Sequence, residues 1–117
     1  MNRKGLKLIV LSGTLIILGL AIHASSFADD PAMGKILYLA HCIQCHGVKG
    51  DGGGPEAANY NARPTDFTSN KMSEITDPMI EKAVLAGLPT VSAHSWGTKL
   101  NNAEVAAVIR YIRSFRP

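Results

Sequence analysis

Only seven of the 117 residues are aromatic and only two are cysteine. A chain of this length makes one domain at most, and with so few large rings its core is thin enough to benefit from a bound group. Two cysteines cannot build the multi-bridge framework that holds many small exported domains together. There is no basic stripe with interleaved aromatics, so the footprint of a nucleic-acid binder is missing and no nucleic acid partner is expected. Repeats, low-complexity tracts and strand-type alternation are missing as well. Nor is there a phosphate loop, or a nucleophile placed beside a general base, to suggest an enzyme.

A long apolar run occurs only at the start. Arg3, Lys4 and Lys7 precede fifteen apolar or small residues from Leu8 to Ile22, and the chain then turns polar through His-Ala-Ser-Ser-Phe-Ala-Asp-Asp. This is the layout of a secretory signal peptide, with Ser26 and Ala28 as the small residues before a cut. The expected organisation is a signal peptide over 1–28, cleaved after Ala28, and a folded domain over 29–117 with no membrane span. The alternative, an uncleaved anchor, needs a span of about 20 residues, and Ser12, Gly13 and Thr14 dilute this run. Either way the domain is exported, with the periplasm of a Gram-negative bacterium as the expected location. Removing three of the twelve basic residues leaves nine against nine acidic ones, a net charge of zero before any cofactor is counted.

In an oxidising compartment two cysteines default to a disulfide. Cys42 and Cys45, however, lie three apart and are followed at once by His46. Cys-Ile-Gln-Cys-His is the attachment motif of a c-type haem. On a helical turn, residues at i, i+3 and i+4 share a face, so two thiols can reach the two haem vinyl groups while the imidazole reaches iron. Two other readings use the same residues. A thioredoxin-like dithiol would need a βαβ setting, and a zinc site would draw on His41, His46 and His94.

Three helices separated by Gly, Pro and Asn-rich loops account for the rest, and the expected fold class is all-α. The first has Asp30 as N-cap and Pro31 at the first position, with Met33, Ile36, Leu37 and Ala40 at helical spacing leading into the claw. The second starts at Thr76 or Asp77 with Pro78 in its first turn, runs through Ile80, Ala83 and Val84, and stops at Gly87 with Pro89 beyond. The third has Asn101 and Glu104 as a capping box and an apolar stripe of Val105, Val108, Ile109, Ile112 and Phe115. Arg110, Arg113 and Arg116 favour its C-terminal end.

With these residues in place the chain resembles the class I c-type cytochromes, monohaem bacterial proteins, over nearly all of residues 29–117. In that family a Gly and an aromatic residue eight and four positions before the first Cys pack against an aliphatic and an aromatic residue of the last helix; Gly34, Tyr38, Val108 and Tyr111 match. The stretches Gly50-Asp51-Gly52-Gly53-Gly54-Pro55 and Arg63-Pro64-Thr65-Asp66-Phe67-Thr68 look like loops of bacterial members. The resemblance implies a small cytochrome c fold, three main helices wrapped around one covalently attached haem c. It also implies that a prolyl carbonyl, here that of Pro55, orients His46. Arg63 and Trp96 are expected near the haem, because buried propionates need donors.

The departure from the family is at the sixth iron ligand, normally a Met in the loop between the second and third helices, often as Met-Pro-x-Trp. That loop here runs Val91-Ser92-Ala93-His94-Ser95-Trp96, and no Met follows Met79. His94 is its only side chain with an ordinary iron-binding group, so bis-histidine ligation by His46 and His94 is expected. Met72 or Met79 are the fallback ligands, and His41 is expected to point away. A second imidazole supports ferric iron and lowers the potential relative to Met-ligated relatives. Such a chain would pass single electrons between redox protein partners. The alternatives are a haem subunit of a larger oxidoreductase complex, or a gas-binding or catalytic haem protein with a displaceable sixth ligand.

Overall fold

Asp30 opens the first helix in the expected way: its side chain accepts from the Ala32 N–H at 2.8 Å, with Pro31 at the first position. Such a cap stabilises a helix by about 1 kcal/mol. The computed structural model describes residues 30–61, 63–89, 91 and 94–116; the segment read as a signal peptide lies outside them. Four α-helices follow in order: α1 (Pro31–His41), α2 (Ile43–His46), α3 (Asp77–Ala86) and α4 (Asn102–Arg113). Two 3-10 turns, Ala57–Asn59 and Asn70–Ser73, punctuate the long connection between α2 and α3. Among the described residues there is no strand, only an isolated bridge between Leu88 and Val91. The all-α expectation holds, and the βαβ setting of a dithiol enzyme is not found among the described residues.

Helices α1 and α4 form the frame. Gly34 of α1 meets the backbone of Ala107 on α4 so closely that a Cβ at that position would lie 2.1 Å from the Ala107 carbonyl oxygen. Only glycine permits that approach. One turn on, Tyr38 is fully buried, its ring 5.3 Å from Tyr111 and 5.2 Å from Phe115 between centroids. Val105, Val108, Ile109 and Ile112 give α4 its inner stripe, joined by Phe67, Met72, Ile80 and Leu100. The α1 stripe differs from the one read at Met33, Ile36, Leu37 and Ala40. Gly34 and Tyr38 are its buried residues, whereas Ile36 is 60% exposed and Ala40 is exposed too. The close backbone crossing rotates α1 so that its glycine, rather than its bulkiest aliphatics, faces α4.

The capping box at Asn101 and Glu104 is formed in both directions. Arg113 does more than complement the end of α4. Its guanidinium donates to the carbonyls of Met72 and Ile75 and to Asp77 Oδ1, fastening the segment that leads into α3 onto the last helix. Hydrogen bonds from a charged donor contribute roughly 1.5–3 kcal/mol each, so this clamp holds a long connection that has little regular structure of its own.

Candidate functional site

Cys42 caps the C-terminus of α1 with its N–H on the Tyr38 carbonyl, and the four-residue helix α2 follows immediately. The His46 N–H donates to the Cys42 carbonyl at 2.9 Å, so the i, i+4 relation that the motif requires is present in the backbone. Tyr38 reaches the same turn from inside the core, its hydroxyl donating to the Gly47 carbonyl at 2.7 Å. Burial, with smaller contributions from Cys42, Tyr111 and Asp51, pushes this phenol well above its ordinary range.

Cys42 and Cys45 are not joined to each other in a disulfide, and both sit where burial disfavours a bare thiolate. Burial, with Cys45 second, pushes Cys42 up to about 12, and burial followed by Glu56 raises Cys45. Among the described residues, moreover, no three His, Cys, Asp or Glu side chains are grouped to hold a metal ion. The donor set fits covalent haem attachment better than zinc.

His46 is held from two sides. Its Nδ1 lies 3.2 Å from the Thr65 carbonyl oxygen, and the Phe67 ring stacks on the imidazole with centroids 4.4 Å apart and planes 15° apart. A ring nitrogen facing a carbonyl can only donate, and burial holds this imidazole below its usual pKa. The neutral ring therefore carries its proton on Nδ1 and a free lone pair on Nε2. The residue that meets His46 is Thr65 rather than Pro55. Pro55 is exposed, and its neighbours Gly54 and Glu56 bond through their N–H groups to the carbonyls of Cys45 and Gln44. That run lies along the outer backbone of the claw, leaving the ring to face the segment after Pro64. Thr65 carried no signal of its own in the sequence, since any residue supplies a carbonyl.

His94 is held in the same manner by a different element. Its Nδ1 lies 3.0 Å from the carbonyl oxygen of Ala83, in the last turn of α3. The next carbonyls of that turn are also taken by the His94 loop: Trp96 N–H bonds Val84, and both Gly97 N–H and Ser95 Oγ bond Leu85. Helix C-termini leave such carbonyls without partners, and here the loop satisfies them. Gly97 makes the fit possible, because a Cβ there would come within 2.7 Å of the Leu85 oxygen. The structure thus brings His46 and His94 together, ring centroids 5.9 Å apart and planes at 69°.

The remaining sequence candidates are dispersed. Trp96 is half-buried against the core, its ring 5.1 Å from that of His41, with Lys99 Nζ 4.8 Å from its centroid on the cationic side. Arg63 is exposed. Met72 is fully buried in the core cluster, while Met79 stands 55% exposed. Phe67, against His46, went unrecognised as a site residue because it read as part of a loop.

With this geometry in hand, the cytochrome c family model matches residues 31–116. The chain belongs to the cytochrome c family. Among solved structures it is similar to the KustC0563 c-type cytochrome, with a TM-score of 0.60 and 29% identity, covering 72% of this chain and 98% of that one. No curated protein sequence matches it. As a cytochrome c it carries covalently bound haem c with iron, for which Cys42 and Cys45 of the attachment motif are present. The family is one of electron carriers, and electron transport between redox partners is the activity it implies. Among the described residues no helix of this cytochrome is long and apolar enough to cross a membrane.

Proposed function

We propose that this cytochrome is an exported, diffusible carrier of single electrons in the periplasm, released from its signal peptide after Ala28, with iron held between His46 and His94. The observation that carries the reading is the pair of imidazoles, each with Nδ1 tied to a backbone carbonyl and centroids 5.9 Å apart. Imidazole nitrogens bind first-row metals at about 2 Å, so rings with this spacing of centres would be able to share one ion. The haem supplies a one-electron couple when bound. Cys42 and Cys45 hold it through thioethers, His46 and His94 offer Nε2 lone pairs, and the core of α1 and α4 keeps water away.

Two features of the chain set the direction of the potential. A second imidazole in place of a thioether favours ferric iron. Donation from each Nδ1–H to a carbonyl raises the basicity of the opposite nitrogen and pushes the same way. The potential is therefore lower than in Met-ligated relatives. Met72 and Met79 do not compete well: one is part of the buried core, the other points to solvent on α3.

The test is the absorption and magnetic circular dichroism spectrum of the haem-loaded ferric protein beside His94→Ala. Low-spin bis-histidine character that the substitution abolishes supports the reading. Met ligation untouched by the change overturns the assignment. A high-spin wild type overturns it as well, and rapid carbon monoxide binding by the ferrous form would favour a gas-binding or catalytic haem protein. Stable co-purification with a larger oxidoreductase would replace the diffusible carrier by a fixed subunit.

A further inference from the structure

The two imidazoles are fixed in rotation as well as in position, and their planes stand at 69° to each other. Each ring has its own restraint. On the His46 side the Thr65 carbonyl sets where Nδ1 points, and Phe67 lies parallel to the ring at 15°, so rotation about the side-chain axis would break both contacts. Phe67 is itself enclosed: it is 7% exposed, stacks at 18° on Phe115, meets Tyr38 edge-on, and its N–H bonds the Gly50 carbonyl at 2.7 Å. On the His94 side the Ala83 carbonyl belongs to a helix, and the bonds from Trp96 and Gly97 to the next two carbonyls keep the loop from turning against it. Neither ring can rotate toward the other without releasing a hydrogen bond or a packed aromatic.

We propose that Phe67 is a positioning residue that holds the His46 imidazole plane steeply inclined, at 69°, to that of His94, so that iron would be held by two crossed rings. The inference rests on the bis-histidine reading above. Crossed rings have an electronic consequence that position alone does not. Each imidazole π-donates into the iron d orbital perpendicular to its own plane. Parallel rings address the same orbital and split the pair, whereas crossed rings address one each and leave the two close in energy. Ferric iron with such a near-degenerate pair gives a highly anisotropic low-spin resonance with one large g value, easily told from the ordinary rhombic signal of parallel rings.

The experiment is frozen-solution electron paramagnetic resonance of the haem-loaded ferric protein, with Phe67→Leu and Phe67→Tyr alongside. A large-g anisotropic signal in wild type is expected. Phe67→Leu, which keeps apolar volume but loses the flat face, shifts that signal toward the rhombic type, and Phe67→Tyr, which keeps the flat face, preserves it. A rhombic bis-histidine signal in wild type overturns the crossed-ring inference while leaving the ligand assignment intact. Met ligation, seen in the near-infrared, overturns the assignment itself. A large-g signal unchanged in Phe67→Leu removes Phe67 as the positioning residue. If Phe67→Leu does not load haem, the wild-type signal still decides the ring geometry, and Phe67→Tyr against Phe67→Met decides the role of the flat face.

Discussion

The two histidines are held by unlike halves of the molecule. His46 stands on a claw whose spacing is written in five consecutive residues, backed by a core in which Tyr38 is fully buried and Gly34 brings two helices into backbone contact. His94 stands on a loop whose position depends on four hydrogen bonds to one turn of α3. The first half is anchored by covalent order along the chain, the second by the unsatisfied end of a helix. The difference teaches that two imidazoles can be tethered alike, with Nδ1 on a carbonyl in both cases, while the interactions behind the two sides are quite different.

Substitutions can break that comparison, beginning with the largest effect. Replacing both Cys42 and Cys45 by Ala removes covalent attachment altogether, and haem staining after denaturing electrophoresis falls to background. Gly34→Val drives a side chain into the Ala107 carbonyl, and the loss of the α1–α4 crossing costs about 3 kcal/mol or more, as overpacking at its upper end does; thermal denaturation of the loaded protein reports it. Gly97→Ala is the distal counterpart. Its methyl meets Leu85 and costs about 1–2 kcal/mol, but it should act chiefly on the iron, raising the high-spin fraction in the absorption spectrum while the helices persist by circular dichroism.

The smaller effects sharpen it. Tyr38→Phe removes the hydroxyl bond to Gly47 and costs about 1 kcal/mol. It also changes the alkaline limb. The Tyr38 phenol is raised in the folded state, chiefly by burial, so above the unfolded value of about 10 the unfolded chain releases a proton that the folded one keeps. Stability contributed by the protonated phenol is complete below that pH and declines as pH rises beyond it. Denaturant midpoints above pH 10 should therefore fall less steeply in Tyr38→Phe than in wild type. Asn101→Ala, at the start of α4, costs about 1 kcal/mol through the lost cap and leaves the haem spectrum unchanged.

The same contrast explains what could be read from the sequence. Helix ends were legible at Asp30, Gly87 and Asn101 because capping and helix stopping are local chemistry carried by side-chain type. The claw was legible for the same reason, and so was the Gly34 and Tyr38 pairing with α4 through the family resemblance. His94 could be named by elimination within its loop. What escaped was every contact made through backbone carbonyls: Thr65 for His46, Ala83 for His94, Met72 and Ile75 for Arg113. A carbonyl belongs to all residues alike and leaves no trace in composition or spacing. Hydrophobic periodicity alone misses the face of α1, since it favours Ile36 and Ala40, whereas the choice was made by a residue with no side chain.

The seam between the His94 loop and α3 ties two motions together. The bonds from Trp96 and Gly97 that hold the His94 loop also occupy carbonyls in the last turn of the helix, so opening one disturbs the other. If His94 binds iron as proposed, an exogenous ligand that displaces it must also open this seam, and its binding should slow when the last turn of α3 is stabilised. Native-state hydrogen exchange at the Trp96 and Gly97 amides reads the opening of that seam, measurable without any ligand present.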